Sequence, residues 1–160
     1  MSRNQVEATL VIHVCPLAIV DEVSQLLGGA DISWHSQPLQ LGTVKTEFSF
    51  RGSELQAEDM VSGLNRFGSL ALDLMVQGKE RGVWFMLAPG LGVFRAETNQ
   101  AGEILISEER IRNALDLSAG NHRELSRMLR LAIGQAWDDI LEPYRAARYQ
   151  ANLGLINRAV

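Results

Sequence analysis

The order of strand-type and helix-type segments in residues 8–76 limits the possible folds more than any other feature. Apolar and polar residues alternate along Thr43–Arg51, as they do in a strand with one buried face. Two other segments place apolar residues three or four positions apart, which is the helical period. The resulting order, β-α-β-β-α-β, predicts a ferredoxin-like antiparallel sheet with both helices on one face.

The elements of this half are bounded by residues that favour turns and helix ends. Pro16 suits the first turn of a helix, and Gly28 with Gly29 suits its end. The predicted strands are Ala8–Cys15, Asp31–Gln37, Thr43–Arg51 and Leu70–Val76, and the predicted helices are Pro16–Gly29 and Ser53–Phe67.

The second half adds strands and then helices. It has predicted strands at Val83–Ala88, Gly92–Thr98 and Glu103–Ile106, and Ser107 is the predicted N-cap of a short helix. The fold class is therefore α+β. We expect a single domain over residues 1–160, with a ferredoxin-like core at 1–80, an extension at 81–148 that ends in two helices, and a tail at 149–160.

The longest predicted helix is Asn121–Arg148, whose apolar residues recur at helical spacing. Asn121 is a suitable N-cap, and Glu124 follows at the position of a capping-box partner. Pro143 does not fit a regular helix interior, so the helix is expected to end near Glu142.

Three acidic residues then crowd the expected C-terminal end of this helix. Asp138, Asp139 and Glu142 lie where the helix dipole disfavours negative charge, so Arg145 and Arg148 are expected to compensate them. The acids could form an acid-base pair, a metal site or a structural cap held by arginine. Because ion pairs with a purely structural role also perturb acids, we favour the structural interpretation.

Several motifs along the chain point to one family. The densest is Trp137-Asp138-Asp139 followed by Leu141-Glu142-Pro143-Tyr144-Arg145, and the others are Trp34 with Gln37-Pro38, Glu47-Phe48-Ser49, Leu91-Gly92-Val93-Phe94 and Gly102-Glu103-Ile104-Leu105-Ile106. In these motifs, the chain resembles an actinobacterial family of domains of unknown function, DUF3145. The resemblance covers most of the chain and implies no activity or catalytic residue. The gene neighbourhoods of the family imply a role in fatty-acid synthesis, with acyl-CoA carboxylase as a protein partner.

We expect the C-terminal cluster and the tail to bind a protein partner. The tail is apolar without a helical period, and an apolar tail left in water would be an unusual exposed patch. The predicted partner-binding residues are Trp137, Asp138, Asp139, Glu142, Tyr144, Arg145, Leu153, Leu155 and Ile156. The predicted function is that of a non-catalytic accessory or regulatory factor acting on a larger metabolic enzyme.

Two other functions remain open from the sequence. One is an ACT-like homodimer that senses a small molecule at a sheet edge. The other is a minor enzyme that uses Asp138 and Glu142, which share one helix face at four-residue spacing.

No nucleophile, metal site or cofactor loop is predicted. His13 and Cys15 lie two apart on one strand and are expected to face the same way, but at roughly 6–7 Å they are too far apart for a direct hydrogen bond. Adding His35 and His122 gives no metal-ligand spacing. The glycine pairs of the chain precede a strand or follow a helix, whereas a phosphate loop precedes a helix N-terminus.

Charge and composition limit the partner class and the compartment. The net charge of −4 argues against nucleic acid, which requires a basic surface. Cys15 is the only cysteine, and the N-terminus lacks the pattern of a signal peptide. No apolar run approaches the roughly 20 residues of a membrane helix. A cytoplasmic, soluble protein is expected.

Overall fold

A computed structural model describes the backbone of residues 5–29 and 31–158 and the side chains of these residues up to 150. The strands are β1 (Val6–Pro16), β2 (His35–Ser36), β3 (Thr43–Gly52), β4 (Ala71–Gln77), β5 (Gly82–Ala88), β6 (Gly92–Thr98) and β7 (Ile104–Leu105). The helices are α1 (Val20–Leu26), α2 (Glu54–Asn65), α3 (Glu108–Ser118), α4 (His122–Ala132) and α5 (Gln135–Arg158). A turn of 3-10 helix, Leu17–Ile19, leads into α1.

The seven strands form one sheet in the order β2-β3-β1-β4-β5-β6-β7, and every neighbouring pair is antiparallel. The predicted α+β class is confirmed. Strands from both predicted halves of the chain belong to this sheet. The order of the first four strands is compatible with the ferredoxin-like topology, which stays a prediction.

One face of the sheet is covered by α1 and α2. Leu10, Leu72 and Phe85 point to this face from three neighbouring strands, and they pack with Val23 of α1 and Val61 of α2. Each is almost completely buried, so each contributes about 1.5–3 kcal/mol relative to an exposed side chain. This layer holds the sheet in place beneath the candidate site.

The opposite face is covered by the N-terminal part of α5. Trp137 and Leu141 are buried there against Met86 of β5 and Phe94 of β6. The Trp137 indole donates a hydrogen bond to the carbonyl of Gly92 at 2.9 Å, so its one polar group is satisfied. The sheet therefore lies between two helical layers.

The predicted continuous helix Asn121–Arg148 is wrong, because the chain breaks at Gly134. This residue has a φ of 82°. A Cβ atom there would lie 2.9 Å from Met86 Cε and from two ring atoms of Phe94. Glycine thus allows both the left-handed turn and the close approach to the sheet. The extension consequently ends in three helices instead of two.

The predicted helix end near Glu142 is also wrong, since α5 continues through Pro143. Proline removes one backbone donor from a helix interior. Here the residues on both sides are held by tertiary contacts, Leu141 in the core and Arg145 on the sheet, so packing outweighs the local cost. Asp138 consequently lies in the first turn of α5, where the helix dipole stabilises negative charge.

The second predicted strand is much shorter than expected. Only His35 and Ser36 pair with β3. Earlier in the segment, the carbonyl of Ser33 accepts a hydrogen bond from the Thr46 hydroxyl at 2.8 Å, so it is bound by a side chain instead of the strand ladder. The first predicted helix is shorter too, because Pro16 is still extended and ends β1.

A bulge in β1 overturns the prediction that His13 and Cys15 face the same way. Ile12 pairs with Thr46 and Cys15 with Val44, so two residues of β1 lie opposite Lys45 alone. The extra residue reverses the alternation of faces. Cys15 therefore lies in the core beneath α1 and α2, whereas His13 lies on the α5 face.

None of the helices in the described part of the chain combines the length and the apolar character needed to cross a bilayer.

Candidate functional site

The centre of the candidate site is Asp73, a carboxylate of β4 that is only 3% exposed. Its Oδ1 accepts hydrogen bonds from the Trp84 indole at 2.9 Å and from Arg145 Nη2 at 2.6 Å. Its Oδ2 is 2.8 Å from His13 Nε2 and 2.9 Å from Arg145 Nε. Both carboxylate oxygens are therefore bound twice, and Arg145 binds in the bidentate manner that gives the strongest ion pairs.

Electrostatics keep this carboxylate ionised. Burial acts to raise the pKa of Asp73, but hydrogen bonds from Arg145 and then His13, together with their charges, outweigh it and lower the pKa to about 2. An ionised carboxylate has no proton to donate, so Nε2 of His13 is the donor.

Arg145 is the cation that joins α5 to the sheet. Its Nη1 is 2.8 Å from Asp138 and 3.7 Å from Glu142. Its guanidinium carbon lies 5.3 Å from the centre of the Trp84 ring, a cation–π distance. Burial acts to lower the pKa of Arg145, but the hydrogen bonds that it donates to Asp73 and Asp138, together with their charges, raise it overall, so the side chain stays charged.

The expected compensation of the acidic residues is found in part. Arg145 pairs with Asp138, as expected, whereas Arg148 pairs with Glu47 of β3. Asp139 pairs with Arg130 of α4. The arrangement is an arginine-held cluster at the start of a helix.

A cavity of about 310 Å³ lies between β1, β3 and α5. His13 and Lys45 line it from the sheet, and Tyr144, Ala147 and Arg148 line it from the helix. An open groove of about 500 Å³ lies on the other side of α5, where Asp73, Trp84 and Arg145 form one wall. His13 lines both, so α5 lies across the sheet between two recesses that share this imidazole.

A second surface feature, which we call the α4–α5 groove, has a volume of about 550 Å³. Its lining residues are Leu91, Arg123, Ser126, Arg127, Arg130, Leu131, Ala136, Asp139 and Ile140. Although α4 is described along its whole length, none of its side chains is buried. The groove therefore combines apolar side chains with three arginines and one aspartate.

The predicted partner-binding residues divide into three groups. Trp137 is in the core, and Arg145 is largely occupied by its ion pairs. Asp139 and Glu142 are exposed, and the Tyr144 hydroxyl lies 3.1 Å from Gln40 Oε1. Leu153, Leu155 and Ile156 lie outside the residues whose side chains the structure describes. Partner binding by these residues stays a prediction.

Sequence reasoning missed the network around Asp73. A signal was present, since Asp73 is the one charged residue in the apolar segment Leu70–Val76, and a buried charge requires a partner. The partners themselves have no local signal, because His13 is 60 residues before Asp73 and Arg145 is 72 residues after it.

The other candidates for chemistry are the thiol of Cys15 and possible metal ligands in the described part of the chain. Burial raises the pKa of the Cys15 thiol to about 11, which makes it a poor nucleophile at neutral pH. In the same ranges, no group of three or more His, Cys, Asp and Glu side chains is arranged to hold a metal ion.

Comparison with known proteins identifies the family. The chain belongs to the family described as protein of unknown function, DUF3145, whose sequence profile matches residues 9–158. No curated protein and no solved structure matches the chain.

Proposed function

We propose that this DUF3145 protein is a non-catalytic, protein-binding accessory or regulatory factor of a larger metabolic enzyme. The observation that carries the proposal is the α4–α5 groove, where apolar side chains remain uncovered between arginines. A protein partner is the occupant that suits a surface of this composition.

The amphipathic character of α4 supports this proposal. Its apolar residues, including Leu125, Leu129 and Leu131, lie at helical spacing. Such a stripe usually faces the core of a protein. Here these side chains are only half buried, and Ile133 and Ile140 beside them are 40% and 37% exposed. A partner that covers this stripe would bury apolar surface that the chain itself leaves in water.

The charges of the groove indicate the chemistry of the partner. Arg127 pairs with Glu124 and Arg130 pairs with Asp139, while Arg123 has no ion pair with any described residue. The pairs on the surface are weak and exchange readily. We therefore expect the partner to present a helix with apolar residues on one face and acidic residues beside them.

The partner enzyme that we propose is acyl-CoA carboxylase of fatty-acid synthesis, acting with this protein in the cytoplasm. This choice rests on the role in fatty-acid synthesis that the resemblance to the family implies. The predicted tail residues Leu153, Leu155 and Ile156 would extend the contact beyond the groove.

The proposal is tested by capture from extracts of the host with a tagged protein at low salt, followed by mass spectrometry. The wild type is expected to retain the carboxylase in a fixed ratio. Reversal of two exposed charges, Arg123→Glu with Arg127→Glu, is expected to abolish retention. The matched control is Arg51→Glu on β3. Arg51 is an exposed arginine that does not line the groove.

Two outcomes would contradict the proposal. Equal capture by the wild type and the double variant would exclude the groove as the binding surface. A homo-oligomer with no other protein attached would favour the alternative of a small-molecule sensor.

A further inference from the structure

We infer that the cavity between β1, β3 and α5 binds a small organic acid that carries a hydroxyl group next to its carboxylate. His13 would form a hydrogen bond with the hydroxyl group, and Lys45 would bind the carboxylate. This inference concerns a ligand of the protein and does not depend on the protein partner proposed above.

His13 has one ring nitrogen without a hydrogen-bond partner. The residue is 4% exposed, and its Nε2 donates to the ionised Asp73, which leaves Nδ1 as the second polar atom of the ring. Among the described residues, Nδ1 has no hydrogen-bond partner, yet no side-chain nitrogen or oxygen there is both fully buried and unpaired. Nδ1 is therefore not fully buried, and His13 lines this cavity as well as the groove on the other side of α5. A ligand hydroxyl would satisfy it.

The β-bulge places a lysine opposite this histidine. Lys45 of β3 lies opposite the two-residue bulge that contains His13, and residues opposite each other on neighbouring strands have Cβ atoms roughly 5 Å apart. Lys45 forms no ion pair within the described ranges, and the nearby Glu47 is held by Arg148. The next residue in register is His35 of β2, which lines the same cavity. The ammonium group is thus available to bind an anion.

The size and the walls of the cavity limit the ligand further. At about 310 Å³, the cavity is at the small end of ligand sites. Its remaining walls include the apolar residues Val11, Pro38 and Ala147. A carboxylate and a hydroxyl on neighbouring carbons can reach Lys45 and His13 together, and a short branched body would contact the apolar walls.

Three probes that differ by one group at a time test this inference by calorimetric titration of the full chain. They are α-hydroxyisovalerate, isovalerate, which lacks the hydroxyl, and α-hydroxyisovaleramide, which lacks the charge. We expect the hydroxy acid to bind at least roughly tenfold more tightly than either analogue, the difference made by one hydrogen bond or one charged contact. Equal affinities, or no binding of any probe, would overturn the inference.

Variants locate the site. Lys45→Met is expected to weaken binding of the hydroxy acid roughly ten- to a hundredfold, because it removes a charge-assisted hydrogen bond. Lys79→Met, at the only other lysine of the chain, is the matched control and is expected to leave affinity unchanged. In nitrogen-15 spectra, the Nδ1 signal of His13 is expected to move on binding. An unchanged signal or equal effects of the two variants would place the ligand elsewhere and contradict the inference.

Discussion

At the scale of single residues, Asp73 is the group on which the docking of α5 depends. Its carboxylate is almost completely buried and holds Arg145 of α5, His13 of β1 and Trp84 of β5 at once. A buried ion pair does not by itself guarantee stability, because both ions lose hydration. Removing one partner is nevertheless costly, since the other charge is left without compensation.

Asp73→Asn is therefore expected to lower the free energy of unfolding by about 3–5 kcal/mol, the range for a broken buried pair. The matched control is Asp138→Asn, which removes a second carboxylate from the same guanidinium. The side chain of Asp138 is 34% exposed, so its loss is expected to cost about 1 kcal/mol or less. Urea unfolding of the two variants and the wild type measures both effects. Losses of equal size would contradict the central role of Asp73.

The lowered pKa of Asp73 predicts a pH dependence of stability. Its pKa is about 2 in the folded chain and 3.8 without the fold. The stabilisation is thus complete above pH 3.8 and is lost as the pH falls through the folded value. This shift corresponds to about 2 kcal/mol. Unfolding free energies of the wild type between about pH 5 and 2 are expected to fall by that much more than those of Asp73→Asn. Parallel curves would show that Asp73 does not titrate in this way.

At the scale of elements, Gly134 sets the position of α5 against the sheet. A side chain at this position would be strained by the φ of 82° and would lie too close to Met86 and Phe94. The turn at Gly134 therefore separates α4 from α5, so the two helices do not form one continuous helix. The groove between them follows from this break.

Gly134→Ala is expected to lower stability by roughly 2–5 kcal/mol, since left-handed strain of about 1–2 kcal/mol adds to overpacking of about 1–3 kcal/mol. Gly120→Ala is the control, because Gly120 has nearly the same φ of 81° but open space around it. Its cost is expected to be the strain alone. Thermal unfolding of both variants makes the comparison, and equal costs would show that close packing at Gly134 is unimportant.

Local signals predicted the starts of the elements well and their ends less well. Ser107 and Asn121 are N-caps in the structure as predicted, because a capping bond joins residues that are two or three apart. Ser53, the predicted start of a helix, is the N-cap of α2. The helix was wrongly predicted to continue through Gly134 and to end near Glu142, before Pro143. Both depend on contacts with the sheet, which residue spacing within a helix does not contain.

At the scale of the whole molecule, the candidate sites arise from contacts between distant segments. The acidic cluster was noticed in the sequence, yet its anchor on the sheet was not, because Asp73 and Arg145 are 72 residues apart. The bulge at His13 also escaped prediction, since it shows only in the pairing of β1 with β3. The fold class followed from periodicity, whereas the cavity and the α4–α5 groove required the tertiary structure.

The two candidate binding surfaces lie in different parts of the molecule. The apolar residues of the α4–α5 groove are bordered by arginines, and the β2 edge of the sheet lies at the other end of the strand order from β6, on which α5 packs. Binding at the groove and pairing at the sheet edge are therefore distinguishable by location. The first corresponds to the accessory factor and the second to a sensing homodimer.

The most direct test is hydrogen–deuterium exchange of the free protein and of the complex captured from the host. The account predicts slower exchange in residues 122–140 of the complex, with the β2 edge unchanged, because a bound partner excludes water from the groove. Slower exchange at residues 35–45 with no change in 122–140 would contradict the proposed binding surface and favour the homodimer.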